Sequence, residues 1–145
     1  MFKHILLPTD GSELSAAAIQ RGIRFAKSIG AKVTGLCVMP LTHNFFFETE
    51  IPTEALEQAA KRCKELSEAY LAAIERRAKL SGVECDVVYE RNDYTYDGII
   101  RVAKQKACDL IMMASHGRRG AGALLIGSVT ERVLTHSKIP VLVYR

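Results

Sequence analysis

The sequence predicts an α/β fold with a single doubly wound open sheet of five parallel strands and helices on both faces. Short apolar segments without polar alternation, typical of strands buried on both faces, occur at 5–7, 33–38 and 110–114. Segments with helical spacing of apolar residues separate the strands, so strand and helix alternate along the chain. Such a chain favours right-handed crossovers and parallel strands. At 145 residues we expect one α/β domain that spans 1–145.

The first strand runs into a helix that begins near Asp10. Asp10 and Glu13 have the spacing of a capping pair, and Gly30 is the residue at which the helix should end. Between these ends the apolar stripe is Ala18, Gly22, Phe25 and Ile29. The second strand covers 33–38, and the segment 41–52 should be irregular because prolines stand at both of its ends.

The longest helix is predicted from Thr53 to about Leu80. We expect one apolar stripe of this helix to pack on the sheet: Leu56, Ala59, Cys63, Leu66, Tyr70 and Ala73. Just before the helix, Phe45–Phe47 is an aromatic cluster that suits a lid, a partner contact or packing over the sheet edge, and the sequence leaves all three open.

The second half of the chain continues the alternation. Apolar and acidic residues alternate at 83–90, which indicates a less buried strand at an edge of the sheet. A third helix is marked by Ile99, Ile100, Ala103 and Ala107, a fourth by Val129, Val133 and Leu134, and a last strand by 141–144.

Composition excludes several classes of protein. The net charge of +4 is modest and its basic residues are dispersed, so we expect no nucleic-acid partner. No apolar run approaches the ~20 residues of a membrane span, so we expect a cytoplasmic protein without a membrane partner. The four cysteines form no Cys-x-x-Cys pair and occupy apolar positions. We expect buried thiols, no disulfide and no metal site.

The stretch 109–134 carries the chemistry, because it is organised as strand, glycine loop and helix. Glycines let backbone approach a ligand, and the free N–H groups at a helix start attract anions, so the pattern predicts a phosphate site. Ser128 with Glu131 three residues later indicates a helix N-cap. Arg118 and Arg119 suit either phosphate neutralisation or a solvated surface. His116 has no carboxylate or nucleophile at a telling spacing, so we expect no catalytic residue here.

Two familiar phosphate-binding motifs are each incomplete. Gly122 and Gly127 have the gap of a P-loop, but Ser128 follows where that motif requires lysine. Gly120 and Gly122 begin a dinucleotide fingerprint whose third glycine is missing. The pattern that does fit is Gly-x2-Gly-x9-Gly-Ser/Thr, with Gly117, nine residues and then Gly127 and Ser128, although Ala114 replaces its first glycine. In this pattern, in its opening at 5–12 and in its closing strand at 141–143, the chain resembles the ATP-binding branch of the universal stress protein family.

The resemblance and the strand count together imply the strand order 3-2-1-4-5. In that order the ends of the first and fourth strands meet at the switch point where such folds bind ligands. The resemblance implies ATP with Mg²⁺ as ligand: Asp10 at the base or ribose, Val38 as a wall for adenine, and Ser128 with the following N–H groups at phosphate. Alanine at 114 should weaken binding without abolishing it. The full predicted site is Pro8, Thr9, Asp10, Val38, Ala114, His116, Gly117, Arg118, Arg119, Gly127, Ser128, Val129 and Thr130.

The function implied is a module in the stress response whose ATP occupancy is sensed by an unknown protein partner, with at most slow hydrolysis. Two alternatives stay open: an enzyme of the same α/β group that hydrolyses or transfers nucleotide, and a dimeric interaction protein that has lost nucleotide binding. The last strand, 141–144, is an edge without charge or proline, so we expect it to pair antiparallel with a second copy, as is usual in the family.

Overall fold

A computed structural model describes residues 1–41, 52–118, 120 and 125–145 of the chain. The predicted features Phe45–Phe47, Arg119 and Gly122 lie outside these residues. The elements are β1 (His4–Thr9), α1 (Glu13–Ile29), β2 (Lys32–Met39), α2 (Thr53–Ser81), β3 (Cys85–Arg91), α3 (Thr95–Gln105), β4 (Leu110–Ala114), α4 (Ser128–His136) and β5 (Val141–Tyr144).

The strands form one five-stranded parallel sheet in the order β3-β2-β1-β4-β5, which confirms the predicted fold and strand order. β1 is central and pairs with β2 along its whole length, from His4 opposite Lys32 to Thr9 opposite Cys37. On its other side β1 pairs with β4, with Ile5 opposite Leu110. β3 and β5 are the edges, as the sequence indicated.

Two core layers cover the faces of the sheet. α1 and α2 pack on one face, where Leu7, Ile23 and Ile74 belong to one buried cluster. On the other face, Leu6, Ile99 and Val133 join β1 to α3 and α4. Alternate residues of β1 enter opposite layers, which explains why its apolar run is unbroken. None of the helices in the described ranges is long and apolar enough to cross a membrane.

The ends of α1 are only partly as predicted. Ser12 is the N-cap, and its hydroxyl accepts a hydrogen bond from the N–H of Ser15 at 3.2 Å, so Asp10 is not the cap. Gly30 ends the helix as expected, in the left-handed conformation with φ 68°. The buried face of α1 includes Ala18 and Gly22 of the predicted stripe. Ile29, the last member of that stripe, is exposed.

The predicted buried stripe of α2 is wrong over most of its length. The residues that α2 buries are Ser67, Leu71, Ile74 and Ala78, whereas Ala59, Cys63, Leu66 and Ala73 are exposed. Length explains the difference. The 29 residues of α2 span roughly 43 Å, and the eight residues of β2 span roughly 26 Å, so the first turns of α2 extend beyond the sheet.

The cysteines and the end of α3 also differ from expectation. Cys37 and Cys108 are buried as predicted, but Cys63 is exposed and Cys85 is half-buried. All four thiols are unpaired. α3 ends at Gln105, so Ala107 lies beyond it, in the left-handed conformation with φ 53°.

Candidate functional site

A cavity lies at the carboxyl ends of β1, β2 and β4, where the strand order reverses direction between β1 and β4. Open α/β sheets bind ligands at such a switch point. The cavity is lined by Pro8, Thr9, Asp10, Ser15, Leu36, Val38, Thr95, Ile99, Met113, Ala114, His116, Gly117, Val129 and Thr130.

Most of the predicted site residues line this cavity. Among the described ones, Arg118, Gly127 and Ser128 are not part of the lining. Five lining residues were not predicted: Ser15, Leu36, Thr95, Ile99 and Met113. A signal existed for Leu36, which shares the face of Val38 because strand side chains alternate. Thr95 and Ile99 are one helical turn apart on α3, but the sequence does not show that this helix covers the cavity.

Asp10 is held by two backbone N–H groups from distant parts of the chain. Its Oδ1 accepts from the N–H of Ser12 at 2.9 Å, and its Oδ2 accepts from the N–H of Arg118 at 3.1 Å. Burial acts to raise the pKa of Asp10, but the hydrogen bonds from Ser12, Arg118 and Ser15 outweigh it and lower the pKa below its ordinary value. The carboxylate is therefore ionised at neutral pH and fixed in orientation.

The turn between β1 and α1 is supported by hydroxyl groups. The hydroxyl of Thr9 accepts from the N–H of Gly11 at 3.0 Å and lies 3.2 Å from the hydroxyl of Ser15. Gly11 has φ +78°, a conformation that other residues rarely adopt. Thr9 and Ser15 thus stabilise a turn that presents Asp10 to the cavity.

Gly117 and Gly127 are glycines for reasons of space. A Cβ atom on Gly117 would overlap Oδ2 of Asp10. A Cβ atom on Gly127 would lie 3.1 Å from Cα of His116, a backbone atom that cannot easily move. Gly117 therefore lets the chain after β4 approach the β1–α1 turn, and Gly127 lets the start of α4 approach the backbone of Ser115 and His116.

α4 begins at Ser128, and its N-cap is Gly127 without a side-chain cap, so the prediction of Ser128 as the N-cap is wrong. The N–H of Gly127 donates to the carbonyl of Ser115 at 2.7 Å, which fixes where the helix starts. The first N–H groups of a helix have no partner within it. Val129 and Thr130, at these positions, line the cavity.

Ala114 ends β4 and stands at the wall of the cavity. Its carbonyl accepts a hydrogen bond from the buried hydroxyl of Thr130 at 2.9 Å, which joins the end of β4 to α4. Positive φ among the described non-glycine residues occurs at Ala107 and not at Ala114. Alanine is therefore accommodated at 114 without backbone strain, and it adds one methyl group to the cavity wall.

His116, two residues after the end of β4, is half-buried. Its Nδ1 lies 3.1 Å from the hydroxyl of Ser115. Among the hydrogen bonds and ion pairs of the described residues, none joins His116 to a carboxylate. Within the part of the chain that the structure describes, the ring therefore has no acidic partner of the kind that orients a general base.

The cavity is chemically two-sided. Leu36, Val38, Ile99 and Met113 form an apolar wall, and Asp10 and the start of α4 form a polar end. The positive end of the α4 dipole favours an anion there. Within the described ranges no three His, Cys, Asp or Glu side chains are grouped to hold a metal ion. The arrangement suits a ligand with a flat apolar part and an anionic part.

Comparison with known proteins gives consistent matches over the whole length. The family model described as Universal stress protein family matches residues 1–145. Universal stress protein MJ0531 of Methanocaldococcus jannaschii is 30% identical over 153 residues, covering 100% of this chain and 83% of that protein. The solved structure of MJ0577 from the same organism has a TM-score of 0.82 and 27% identity, covering 99% of this chain and 95% of that one.

A third similar structure is a universal stress protein solved in complex with cAMP. Its TM-score is 0.72 and its identity 22%, over 99% of this chain and 97% of that one. At this identity the likeness establishes a shared fold.

Proposed function

The chain belongs to the universal stress protein family, and on that premise we propose that it binds ATP with Mg²⁺ in the cavity at the switch point, as a regulatory module of the stress response. The observation that carries the proposal is the two-sided cavity, with an apolar wall at Leu36 and Val38 and the start of α4 at its polar end. A nucleotide has the matching division into a flat base and charged phosphates.

Each part of ATP has a matching surface. The base fits against Val38 and its apolar neighbours, and the ionised carboxylate of Asp10 suits the ribose hydroxyls as a hydrogen-bond acceptor. The N–H groups at 128–130 and the close backbone of Gly117 suit the phosphates. Ser128, although not a cap, lies at the first turn of α4 and keeps its hydroxyl available for phosphate.

Mg²⁺ would be carried chiefly by the phosphates. This ion commonly keeps several waters and takes one or two carboxylates together with substrate phosphates. Asp10 is the acidic residue of the cavity wall, and its ionised carboxylate is the kind of protein ligand that Mg²⁺ takes. Asp10 is therefore the residue that fits a role in holding the ion, directly or through water.

A binding module is better supported than an enzyme. Phosphoryl transfer depends on positioned cations and on a group that orients the nucleophile. His116 has no carboxylate partner among the described contacts, and the guanidinium of Arg118 is engaged by Tyr70 outside the cavity. We therefore propose that nucleotide occupancy, rather than turnover, is the signal that a protein partner reads.

A homodimer through β5 is part of the proposal. β5 is an edge strand, and the carbonyls of Pro140 and Tyr144 accept from the N–H groups of Ile111 in β4 and of Ser115 just after it. Because the backbone alternates, the N–H and C=O groups of Val141 and Val143 point away from β4. These groups are available to a second copy. The four unpaired thiols support the expected cytoplasmic location, since such thiols persist in reducing compartments.

Calorimetric titration with ATP and Mg²⁺ tests the proposal, together with analysis of any nucleotide released when the purified protein is denatured. We expect saturable binding that Asp10→Asn weakens, because this change removes the charge at nearly constant shape. Glu13→Gln is the matched control: it removes one negative charge from the exposed start of α1, outside the cavity wall. If ATP at millimolar concentration produces no binding heat and no thermal stabilisation, the proposal is contradicted. An equal effect of both substitutions would show that Asp10 acts only through net charge.

A further inference from the structure

Tyr70 on α2 contacts two separate chain segments beside the cavity without lining it. Its hydroxyl accepts a hydrogen bond from Nη2 of Arg118, and the guanidinium carbon lies 5.8 Å from the ring centroid. Its ring also covers Gly11, where an added Cβ atom would overlap the ring and its hydroxyl. One side chain of α2 thus contacts both the β1–α1 turn and the loop after β4.

These contacts connect the segments on both sides of Asp10 through Tyr70. Arg118 donates its backbone N–H to Oδ2 of Asp10 and its side chain to Tyr70. Gly11, which follows Asp10, donates to Thr9 and lies under the Tyr70 ring. The carboxylate of Asp10 is therefore oriented on one side by the β1–α1 turn, which the Tyr70 ring covers. On the other side it is oriented by Arg118, whose side chain is hydrogen-bonded to Tyr70.

Arg118 itself is exposed, as is the preceding Gly117. Among the described residues, the hydrogen-bond partners of Arg118 are Asp10 and Tyr70. An exposed loop residue that is not held in place must lose conformational freedom when a ligand orders it, and that loss reduces affinity. A contact that holds the loop before the ligand arrives removes part of this cost.

We propose that Tyr70 is a positioning residue for the nucleotide site: with Arg118 it forms a latch, the Tyr70–Arg118 pair, that holds Gly117 and Arg118, in the described start of the loop after β4, against Asp10 in the geometry that binds nucleotide. The inference rests on the proposed function of the cavity. It assigns control of affinity to a residue on the opposite face of the sheet from the apolar wall.

The latch and a direct phosphate contact by Arg118 predict opposite changes in ATP affinity when the Tyr70 hydroxyl is removed. If the latch positions the loop, Tyr70→Phe removes the accepting hydroxyl, loosens Arg118 and weakens ATP binding by roughly 3- to 10-fold, the range expected for one hydrogen bond. If Arg118 instead leaves Tyr70 to neutralise phosphate, Tyr70→Phe frees it and ATP binds more tightly. Tighter binding overturns the latch.

The experiment combines calorimetric titration with a double-mutant cycle. Tyr70→Phe, Arg118→Gln and the double variant are titrated with ATP and Mg²⁺, and we expect the double variant to lose little more affinity than either single one. Tyr89→Phe is the control, because its side chain packs against the same core cluster as α2 but, among the described residues, its hydroxyl makes no hydrogen bond to the loop. Additive losses in the cycle, or an equal loss in the control, overturn the proposal.

A readout without nucleotide separates failure of the latch from failure of the proposed function. The pKa of Asp10, followed by NMR of its carboxyl carbon, is lowered partly by the N–H of Arg118. We expect this pKa to rise in Tyr70→Phe and in Arg118→Gln, and to stay unchanged in Tyr89→Phe. An unchanged pKa in the latch variants overturns the latch whether or not ATP binds. If the pKa of Asp10 rises in these variants but the protein does not bind ATP, the Tyr70–Arg118 contact does position Asp10, and the proposal of a nucleotide ligand is the part that fails.

Discussion

Gly117 and Asp10 approach so closely that a Cβ atom on Gly117 would overlap Oδ2 of Asp10. The same oxygen accepts the N–H of Arg118, the next residue of the loop. The glycine and the carboxylate are therefore fitted to each other, and a side chain at 117 must displace the carboxylate or the loop.

Gly117→Ala is expected to weaken ATP binding by at least about 10-fold, or ~1.4 kcal/mol, because the methyl group displaces the Asp10 carboxylate. Titration calorimetry measures the change. Gly82→Ala is the matched control: Gly82 has φ +72° and open space around it, so alanine there costs about 1 kcal/mol of folding free energy and leaves ATP affinity unchanged. Equal affinities in both variants would contradict the fit between Gly117 and Asp10.

Ala114→Gly is expected to leave ATP binding unchanged or to tighten it, because it removes a methyl group from the cavity wall. The same change should lower the free energy of unfolding by about 1 kcal/mol, since glycine in a buried strand loses more chain entropy than alanine. Chemical denaturation and titration measure the two effects separately. Weaker binding by a stably folded variant would show that the glycine pattern is aligned wrongly with the cavity.

His116→Ala is expected to leave ATP hydrolysis unchanged and far below the ~1–100 s⁻¹ of kinases. The reason is that His116 contacts the Ser115 hydroxyl and no carboxylate among the described residues. Phosphate release by the wild type and the variant gives the comparison. Turnover of several ATP per second that disappears in the variant would establish His116 as a catalytic residue.

The protein is expected to lose stability in mild acid because His4 is buried. Burial, and next the charge of Lys32, lower the pKa of His4 below 6.5, while Asp109 acts in the opposite direction and Lys106 acts in both. The ring is buried, with Nε2 2.7 Å from the hydroxyl of Thr34. Because the unfolded chain binds the proton more readily, this stability is fully present above pH 6.5 and is lost as the pH falls below it.

Thermal unfolding between pH 7.5 and 5.0 tests this expectation against His4→Gln. The variant keeps a polar side chain without a titrating ring, so its melting temperature should fall less over this range. Three carboxyl groups also have pKa values that are lowered in the fold: Asp10, Asp86 and Asp109. The stability that they contribute to the protein is lost only as the pH falls below about 4. Parallel curves for the wild type and the variant would exclude His4 as the source.

Val143→Pro is expected to convert a dimer into monomer. The N–H of Val143 points away from β4, so proline removes a group available to a second copy and leaves the pairing of β4 with β5 intact. Light scattering at micromolar concentration measures the mass. Leu142→Pro is the contrasting variant, because the N–H of Leu142 faces β4 and its loss destabilises the fold itself. A monomeric wild type would remove β5 pairing from the proposal.

The fold could be predicted because its signals are local. Unbroken apolar runs mark buried strands, and Gly30 ends α1 through a conformation that glycine adopts most easily. The start of α4 could not be predicted from its Ser-x-x-Glu pattern. Its register depends on the packing of Gly127 against the backbone of Ser115 and His116, which is a tertiary contact.

The sequence motifs predict most of the residues that line the cavity, but they do not predict the contacts that support it. Asp10 was interpreted partly as a cap, whereas Arg118, 108 positions later, completes its hydrogen bonding. Tyr70 was assigned to an apolar stripe facing the sheet, because periodicity identifies a face but not its partner. Its contacts with Gly11 and Arg118 join segments far apart in sequence, and no local pattern encodes them.

The central position of β1 also sets the order in which the protein can be assembled during synthesis. β1, β2 and β3 can pair once the first 91 residues have emerged, but Ile5 must wait for Leu110 before the second side of β1 is covered. Contacts of such separation form late, because the chain entropy of closing the loop is lost before they contribute. The cavity exists only after that step, so a nucleotide cannot assist the early part of folding. A nucleotide that binds there, as proposed, would stabilise only the completed fold.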